Sequence, residues 1–518
     1  MATTVAPTMP APRGPGATLR WPRGFWRSRL VEPMPDDRVA GWLWPLAVAV
    51  IAGVLRFWRL GTPSTHVFDE VYYPVNAWQM IHYGVAYVPG TGTGTGPQFL
   101  AHPPAGKWVI ALGELVFGNT PLGWRVMVAL AGTLTVLMVA RIGRRLFRST
   151  LLGTVAAVLL AFDGLSFVMS RTGLLDNLVT FWALAAFGLL LLDRDRTRLR
   201  LGRRIERNGT RGVGPGMGVR PYRIAAGLAL GLGSASKWSG LYFLAVFAVM
   251  SLVWDVGARR TIGVRRPVLA ALVRDSVPAF LSTVLLAAGV YLISWAGWFL
   301  SGDKGWDRNW AQGAGPSHYS WIPASLRSLW HYQVQMYDFN INLRTFHPYM
   351  SNPWSWSIMG RPTYFYYEAS TQGHAGCQAA HCSLAITSLG TPAFWWAATA
   401  ALFVVAAVWI GRRDWRAGAV LAGVLAGWGP WFQYQDRTIF TFYAVAFAPW
   451  MALAVAMVAG LVLGGPQASV RRRVVGASTV GTYLLLVIAN FVWLYPVLAA
   501  EVIPYSQWAA RMWFPSWI

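Results

Sequence analysis

Charged side chains are scarce in this chain, and their scarcity excludes an ordinary soluble protein. Only 12% of the 518 residues are charged, whereas about 25% is usual in soluble domains. Hydrophobic residues make up 55%, and the mean hydropathy is +0.41. The net charge of +24 lies in short runs between apolar stretches rather than on one face, which argues against nucleic-acid binding. The composition therefore predicts a polytopic, all-α membrane protein.

The chain also lacks motifs that bind cytoplasmic nucleotides. The sequence AHPPAGKW, which contains Lys107, has no first glycine for a phosphate loop, and GTGTGTG at 90–96 does not fit GxGxxG. Asp193 and Asp195 imitate the DxD of nucleotide-sugar enzymes, but arginines surround them. An enzyme of this kind that worked outside would need a donor delivered by the membrane, such as a sugar on a polyprenyl phosphate.

Eleven apolar stretches are near the ~20 residues that a membrane-spanning helix needs. They are residues 39–60, 122–143, 151–170, 175–192, 222–236, 238–254, 276–299, 392–411, 417–434, 439–461 and 475–496. In this arrangement every basic cluster falls on one side, which the positive-inside rule makes cytoplasmic. The amino terminus is therefore predicted inside, the carboxyl terminus outside, and two long segments, 61–121 and 300–391, outside.

The domain organisation follows from these spans. Residues 1–38 are rich in Pro, Gly and Arg without an apolar period, which predicts a disordered cytoplasmic tail. Residues 39–518 form one membrane domain, which we expect in the plasma membrane with any reaction on the extracytoplasmic face.

The pair Asp69 and Glu70, in THVFDEVYYP, stands just beyond the first apolar span. Two adjacent carboxylates at the rim of a membrane helix are costly unless they bind a cation or transfer protons. Apart from a zinc alternative at the two cysteines, which is described below, no other group resembles a metal site. A divalent cation, if one is used, is expected at Asp69 and Glu70.

Further polar and charged residues fall at the same outer level of the membrane. They are His102, Lys107, Arg125, Arg171, Asp176, Lys237 and Arg437. Each alone has an ordinary alternative, because basic residues at helix ends reach towards the interface. Their shared level favours a common site.

The second outer segment is rich in aromatic residues, and we interpret it as a segment that covers the substrate. Most of its rings are expected to anchor at the interface, although rings also stack on sugars. In HPYMSNPWSW, His347, Asn352 and Trp354 form a rigid polar and aromatic edge. We expect this edge near the sugar or phosphate of a substrate.

The only cysteines, Cys377 and Cys382, both lie in this outer segment. An oxidising exterior and their close spacing favour a local disulfide. A zinc site with His374 and His381 is the alternative, but the spacing is not one of the strong zinc patterns.

Six motifs in order resemble the protein O-mannosyltransferases, in their actinobacterial (mycobacterial-type) branch. They are FDEVYYP, HPPAGK, SRTGLLDN, GSASKWSGLY, HPYMSNPWSWSIMGRPTYFYYE and QDRTIFTFYAVAFAPW, within a similarity over residues 40–518. The resemblance implies the GT-C glycosyltransferase fold, a polyprenyl (decaprenyl-type) monophosphate mannose donor and a Ser or Thr acceptor in a secreted protein. Segment 300–391 is too short for the MIR domain of eukaryotic members.

The acid pair would then supply the catalytic groups. Transfer to a hydroxyl passes through an oxocarbenium-like state and needs a base for the acceptor proton. We expect Asp69 to be that base in an inverting reaction, and Glu70 to orient the acceptor backbone or a cation.

The family resemblance and the outer position also imply the binding residues. Arg125 is the first candidate for the donor phosphate, followed by Lys237, Arg437 and Lys107. Residues expected near the donor sugar or acceptor are His102, Arg171, Asp176, His347, Asn352 and Trp354.

Two other functions remain open. A related polyprenyl-phosphate-sugar enzyme would modify a glycolipid or cell-wall glycan, and a transporter would line its path with the intramembrane charges. A transporter predicts two matching halves with broken helices, which the sequence does not show. Expected partners are the lipid donor, exported proteins, the secretion translocon and membrane lipids, without nucleic acid.

Overall fold

The computed structural model describes residues 25–208, 214–315, 318–465 and 467–518, and most of these are helical. The helices are α1 (Phe25–Leu30), α2 (Ala40–Phe57), α3 (Tyr73–Tyr83), α4 (Ala105–Phe117), α5 (Pro121–Phe147), α6 (Thr150–Ala161), α7 (Gly164–Ser170), α8 (Asp176–Asn208), α9 (Pro221–Ser236), α10 (Gly240–Thr261), α11 (Pro267–Arg274), α12 (Ser276–Phe280), α13 (Leu286–Ser294), α14 (Ala296–Leu300), α15 (Trp310–Gly313), α16 (Ala324–Asn342), α17 (Pro392–Arg412), α18 (Trp415–Trp428), α19 (Ala448–Leu463), α20 (Val470–Leu498) and α21 (Tyr505–Ala509). A π-helical turn joins α12 to α13, so Ser276–Ser294 is one helix.

Seven helices in the described ranges are long and apolar enough to cross a membrane, and the pair α6 and α7 makes up to eight. The seven are α2, α5, α8, α10, Ser276–Ser294, α17 and α20. Helices α9, α18 and α19 have 16, 14 and 16 residues, which is short for a bilayer. Each of the eleven predicted spans contains a helix, and the span count and orientation stay predictions.

The break between α6 and α7 bends the chain by 67° and is fixed by a buried carboxylate. Asp163 accepts hydrogen bonds from two N–H groups of α7, from the Thr391 N–H at 3.1 Å and from the Trp395 indole at 2.8 Å. A carboxylate at a helix amino terminus satisfies N–H groups that have no partner within the helix. Asp163 thus holds the bend.

Part of the expected amino-terminal tail is folded. Residues 1–24 lie outside the described residues, but α1 packs against α8 through the buried side chains of Trp26 and Leu30. Leu201 and Ile205 of α8 belong to the same apolar cluster. Burial of these side chains explains why the Pro- and Gly-rich composition does not keep residues 25–30 unstructured.

The two aspartates that imitate DxD form ion pairs with arginines. Asp193 accepts from Arg220, and Asp195 accepts from Arg145 and Arg148 at 2.7 and 2.9 Å. All these carboxylates are buried ion-pair partners at the basic end of the bundle. They are therefore parts of the scaffold rather than ligands of a nucleotide sugar.

The outer segments add two small sheets to the helical bundle. Strands β1 (Tyr87–Val88) and β2 (Gly96–Pro97) pair in the first segment. Strands β3 (Tyr364–Thr371), β4 (His381–Thr387) and β5 (Ile503–Pro504) form an antiparallel sheet in the order β3-β4-β5. A Cys377–Cys382 disulfide joins the β3–β4 connection to β4. Most residues of HCSLAIT are buried, and the strand that they form was not expected, because the sequence predicted an all-α protein.

Candidate active site

The acid pair lies in a single 3-10 turn, Phe68–Val71, between α2 and α3. Successive residues of such a turn point in different directions, since it has about three residues per turn. Glu70 is completely buried, whereas Asp69 is half-buried. The two carboxylates consequently have different surroundings.

Glu70 forms a buried ion pair with Arg125. The Arg125 Nε and Nη2 atoms donate to the two Glu70 oxygens at 2.8 and 2.7 Å. The other three N–H groups donate to the carbonyls of Leu60, Pro63 and Thr65 at 3.2, 2.8 and 3.0 Å. A guanidinium has five N–H donors. Every donor of Arg125 is thus used within the protein, which argues against the phosphate-binding role that we expected for it.

The Glu70 carboxylate is equally occupied. Besides Arg125, it accepts from the backbone N–H of Val67 at 2.9 Å and of Gly173 at 2.7 Å. A carboxylate has about four lone-pair sites, and all are filled here. Glu70 therefore does not fit a divalent cation shared with Asp69, nor a direct contact with the acceptor backbone.

Asp69 differs because its carboxylate has no cationic hydrogen-bond partner among the described residues. Its one side-chain hydrogen bond comes from the Tyr73 hydroxyl at 3.4 Å. Burial raises the pKa of Asp69 to about 6, against the lowering effect of nearby Lys237; Asp176 also raises it and the Tyr73 bond lowers it. Asp69 is thus a carboxylate with free lone pairs and an increased affinity for a proton.

Lys237 and Asp176 lie beside Asp69. The Lys237 Nζ donates to both Asp176 oxygens at 2.8 and 3.0 Å, and it lies 4.4 Å from the ring centre of Tyr443. Lys237 ends α9 and Asp176 begins α8, so the close packing of these two helices brings the pair together. The ion pair fixes one positive group at the edge of the site.

A cavity of about 310 Å³ contains three of the predicted residues: His102, Lys237 and Arg437. The Arg437 Nη2 donates to the Asn340 side chain at 3.0 Å, and Asn340 in turn donates to the Ala101 carbonyl at 2.9 Å. The Arg437 Nε is buried without a hydrogen-bond partner in the described part of the chain. Arg437 therefore has donors available for an anion, unlike Arg125.

The loop before α4 presents His102 to this cavity. Burial lowers the pKa of His102 well below its usual value, and Lys237, Lys107 and Arg437 lower it further. His102 is consequently a neutral hydrogen-bonding group. Lys107, on α4 as expected, donates to the His102 and Pro103 carbonyls at 2.7 and 3.3 Å. Burial lowers the pKa of Lys107 to about 7, and its position holds the loop rather than lining the cavity.

Arg171 is also committed to the scaffold. It donates to the carbonyls of residues 55, 56, 58 and 59 at the end of α2, at 3.2, 2.9, 2.6 and 3.1 Å. Carbonyls at a helix end lack partners within the helix, and a cation there is favourable. This placement argues against the expected contact of Arg171 with a sugar or acceptor.

The three residues that we expected to form one edge in the second outer segment, His347, Asn352 and Trp354, do not lie together. His347 packs against Phe68 and Phe440, with ring centres 6.2 and 5.0 Å apart, and so lies near the acid pair. Asn352 caps a 3-10 turn and donates to Gln435. Trp354 is 71% exposed. Only His347 of the three therefore lies in the immediate surroundings of Asp69 or lines the cavity.

Four residues near the site were not singled out by the sequence: Tyr73, Gly173, Asn340 and Tyr443. Three of them fall inside motifs that carried the family resemblance. At Gly173 a side chain would meet the Trp124 carbonyl and Pro74 at 3.2 Å, which explains the glycine of SRTGLLDN. Asn340 lies outside every motif, so only the fold reveals it.

Comparison with known proteins shows the family to which the chain is similar. The model for the C-terminal four TMM region of protein-O-mannosyltransferase matches residues 325–517, and that for dolichyl-phosphate-mannose-protein mannosyltransferase matches residues 101–200. The polyprenol-phosphate-mannose–protein mannosyltransferase of Mycolicibacterium smegmatis is 42% identical over 507 residues, 94% of this chain and 96% of that protein. Its Mycobacterium tuberculosis counterpart is 41% identical over 494 residues, 93% of each chain.

The solved structure of the Saccharomyces cerevisiae protein O-mannosyltransferase Pmt1-Pmt2 complex bound to the sugar donor has the same fold. Its TM-score is 0.71 at 14% identity, over 96% of this chain and 95% of that chain. The shared fold and the sequence relatives together make this chain an integral-membrane glycosyltransferase of the GT-C fold. The chain belongs to the protein O-mannosyltransferase family.

Proposed function

We propose that this protein transfers mannose from polyprenyl monophosphate mannose to Ser and Thr hydroxyls of exported proteins, with inversion. The reaction takes place on the extracytoplasmic face of the plasma membrane, and Asp69 is the general base. The names of the mycobacterial relatives support the donor and the acceptor class. The bonding of the described residues supports the assignment of roles.

The observation that carries the proposal is that the cavity lined by Lys237 and Arg437 adjoins an apolar groove. A groove of about 660 Å³ runs between α9, α10, α13 and α16. Trp238, Leu241 and Tyr337 line both spaces. A donor with an anionic headgroup and a long hydrocarbon tail has this shape, because its phosphate needs cations and its tail needs apolar walls.

The chemistry follows from which groups are free. The acceptor oxygen attacks the anomeric carbon, the bond from that carbon to the phosphate oxygen breaks, and the acceptor proton passes to Asp69. The electron pair leaves with polyprenyl phosphate, beside Lys237 and Arg437. A phosphate leaves as a stable anion, so no group has to protonate it. His102, as a neutral imidazole, is assigned to a hydrogen bond with the sugar or phosphate.

The assignment is tested with purified protein, a radiolabelled mannosyl lipid and a Ser/Thr-containing peptide. We expect label on the peptide hydroxyl with inverted anomeric configuration. A matched peptide with Ala in place of Ser and Thr should remain unlabelled. Label on a glycolipid or glycan acceptor instead, or solute movement without any product, would replace the proposal by one of the other two functions.

Arg437→Ala should weaken use of the donor. A hydrogen bond to a charged group contributes about 1.5–3 kcal/mol, which corresponds to roughly a 10- to 100-fold increase in donor KM. Arg437→Lys should recover only part of this, because an ammonium does not reproduce the fork of the guanidinium. Steady-state kinetics with varied donor measures both.

The control for that variant is Arg344→Ala, which removes an exposed arginine of the second outer segment. Its donor KM should stay at the wild-type value. Equal KM values for the wild type and Arg437→Ala would remove Arg437 from the phosphate site.

A further inference from the structure

Phe68, the residue before the proposed base, has a backbone conformation that is unusual for its type. Its φ is 49°, in the left-handed region. Residues other than glycine enter this region rarely, because the side chain crowds the backbone. Such strained residues persist only where surrounding contacts hold them, and they concentrate at functional sites.

The contacts that hold Phe68 come from its ring. Phe365 of β3 stacks on it with ring centres 4.7 Å apart, and Phe442 and Phe440 meet it edge-on at 5.4 and 5.7 Å. The His347 ring lies edge-on at 6.2 Å. The four surrounding rings belong to three segments outside the first outer loop, and we call them the ring cage.

We propose that Phe68 is a positioning residue, whose ring in the cage holds the backbone in the left-handed conformation and so aims the Asp69 carboxylate at the acceptor. This inference rests on the proposed role of Asp69 as base. The backbone direction of a residue in a tight turn is set by the dihedral angles of the residue before it. A release of Phe68 to negative φ would therefore turn Asp69 away.

The pH dependence of activity distinguishes a ring that acts on Asp69 from a ring that only stabilises the fold. Loss of the Phe68 ring would admit water to Asp69 and lower its pKa towards the ordinary aspartate value, since burial is the main cause of its elevation. The decrease of activity at low pH, which we call the acid limb, would then move to lower pH. None of the variants substitutes the other groups that face Asp69: Tyr73 on α3, Asp176 on α8, Lys237 before α10 and Tyr443 in the turn Thr441–Ala446.

The experiment compares Phe68→Ala and Phe68→Leu in the full-length protein. Phe68→Ala should lower kcat about tenfold, because small displacements of a catalytic group reduce rate strongly. The KM values for donor and peptide should stay within about twofold, since the ring does not line the cavity. Phe68→Leu refills most of the cage. Its kcat and the position of its acid limb should therefore lie between those of the wild type and those of Phe68→Ala.

Phe187→Ala is the matched control. Phe187 is a fully buried ring on α8 that packs against Phe247 and Trp450 with ring centres 5.6 and 5.7 Å apart. It should lower thermal stability without moving the acid limb. If Phe68→Ala does not fold, Phe68→Leu is compared with Phe187→Leu by the same readouts.

The result separates this inference from the function on which it rests. An unmoved acid limb in both Phe68 variants, or a fall in activity equal to that of the Phe187 control, would overturn the positioning role. The assignment of Asp69 itself would stand if Asp69→Asn were inactive in the same assay. Full activity of Asp69→Asn would instead reject the base, and the Phe68 inference with it.

Discussion

Asp69→Asn should lower kcat for mannose transfer by about 10²- to 10⁴-fold, the contribution that general base catalysis usually makes. Asparagine has nearly the same volume as aspartate but does not accept a proton at neutral pH. The Lys237–Asp176 pair and Arg437 are untouched by the change. Donor affinity, measured by equilibrium binding of the labelled lipid, should therefore stay within about threefold of the wild type.

The choice of Asp69 over the other carboxylates follows from their partners. Asp176 is neutralised by Lys237 at 2.8 Å, and Glu70 by Arg125 at 2.7 Å. Within the described ranges, the Asp69 carboxylate receives only the Tyr73 hydroxyl, at 3.4 Å. A base must have a free lone pair for the substrate proton, and among these three carboxylates Asp69 is the one without a cationic partner in the described residues, so we propose it as the base.

The pH dependence gives a second test of the same residue. Burial raises the pKa of Asp69 to about 6, so the basic form dominates above that value and is lost below it. The kcat/KM of the wild type should therefore decrease as the pH falls through about 6. This limb should be absent from the residual activity of Asp69→Asn, because that side chain does not titrate.

Asp303→Asn is the control for both measurements. Asp303 is exposed in the second outer segment, where it accepts a hydrogen bond from Asn309 at 2.7 Å. Its variant should keep the wild-type rate and acid limb. Wild-type kcat in Asp69→Asn would show that the acceptor proton goes elsewhere.

Much of the fold follows from the sequence because its signals are local. Apolar stretches of sufficient length produced a helix in every predicted span, and α4 begins two residues before the expected Lys107. The sheet around β4 was missed, because its strands pair residues from 364 to 504 that no local pattern connects. The helix α1 was missed since two buried side chains, Trp26 and Leu30, outweigh a disordered composition.

For the candidate site, the sequence indicated which residues share a level of the membrane but not which hydrogen bonds they form. Sequence placed Arg125 and Arg437 at the same outer level, but could not show that one is saturated and the other has a free donor. That difference depends on the carbonyls of Leu60, Pro63 and Thr65, which only the folded loop directs at Arg125. Because Arg125 is saturated and Arg437 has a free donor, we now place Arg437 before Arg125 among the proposed phosphate-binding residues.

Glu70→Gln should lower the free energy of unfolding by about 3–5 kcal/mol. Removing one partner of a buried ion pair leaves the other charge uncompensated, which is the costly case. Here the remaining Arg125 is 1% exposed, and the variant also weakens the bonds to Val67 and Gly173. Denaturant or thermal unfolding in detergent, followed by loss of the folded species, measures the change.

The matched control is Glu501→Gln, which breaks an exposed pair with Arg59 at the same N···O distance of 2.8 Å as the Glu70–Arg125 Nε contact. Exposed pairs contribute about 0–1 kcal/mol, so this variant should unfold almost as the wild type does. Comparable losses of unfolding free energy in the two variants would contradict a role of Glu70 in stabilising the turn below Asp69.

The Glu70 variant also distinguishes two possible functions of this residue: stabilising the turn that carries Asp69, and orienting the acceptor. A brace that fixes the turn below Asp69 predicts a low unfolding midpoint but an unchanged peptide KM at a temperature where the variant is folded. A group that orients the acceptor predicts the opposite: normal unfolding and a raised peptide KM. Because all four acceptor sites of Glu70 are already filled by Arg125, Val67 and Gly173, we expect the first pattern. The second would mean that substrate binding reorganises the loop and frees this carboxylate.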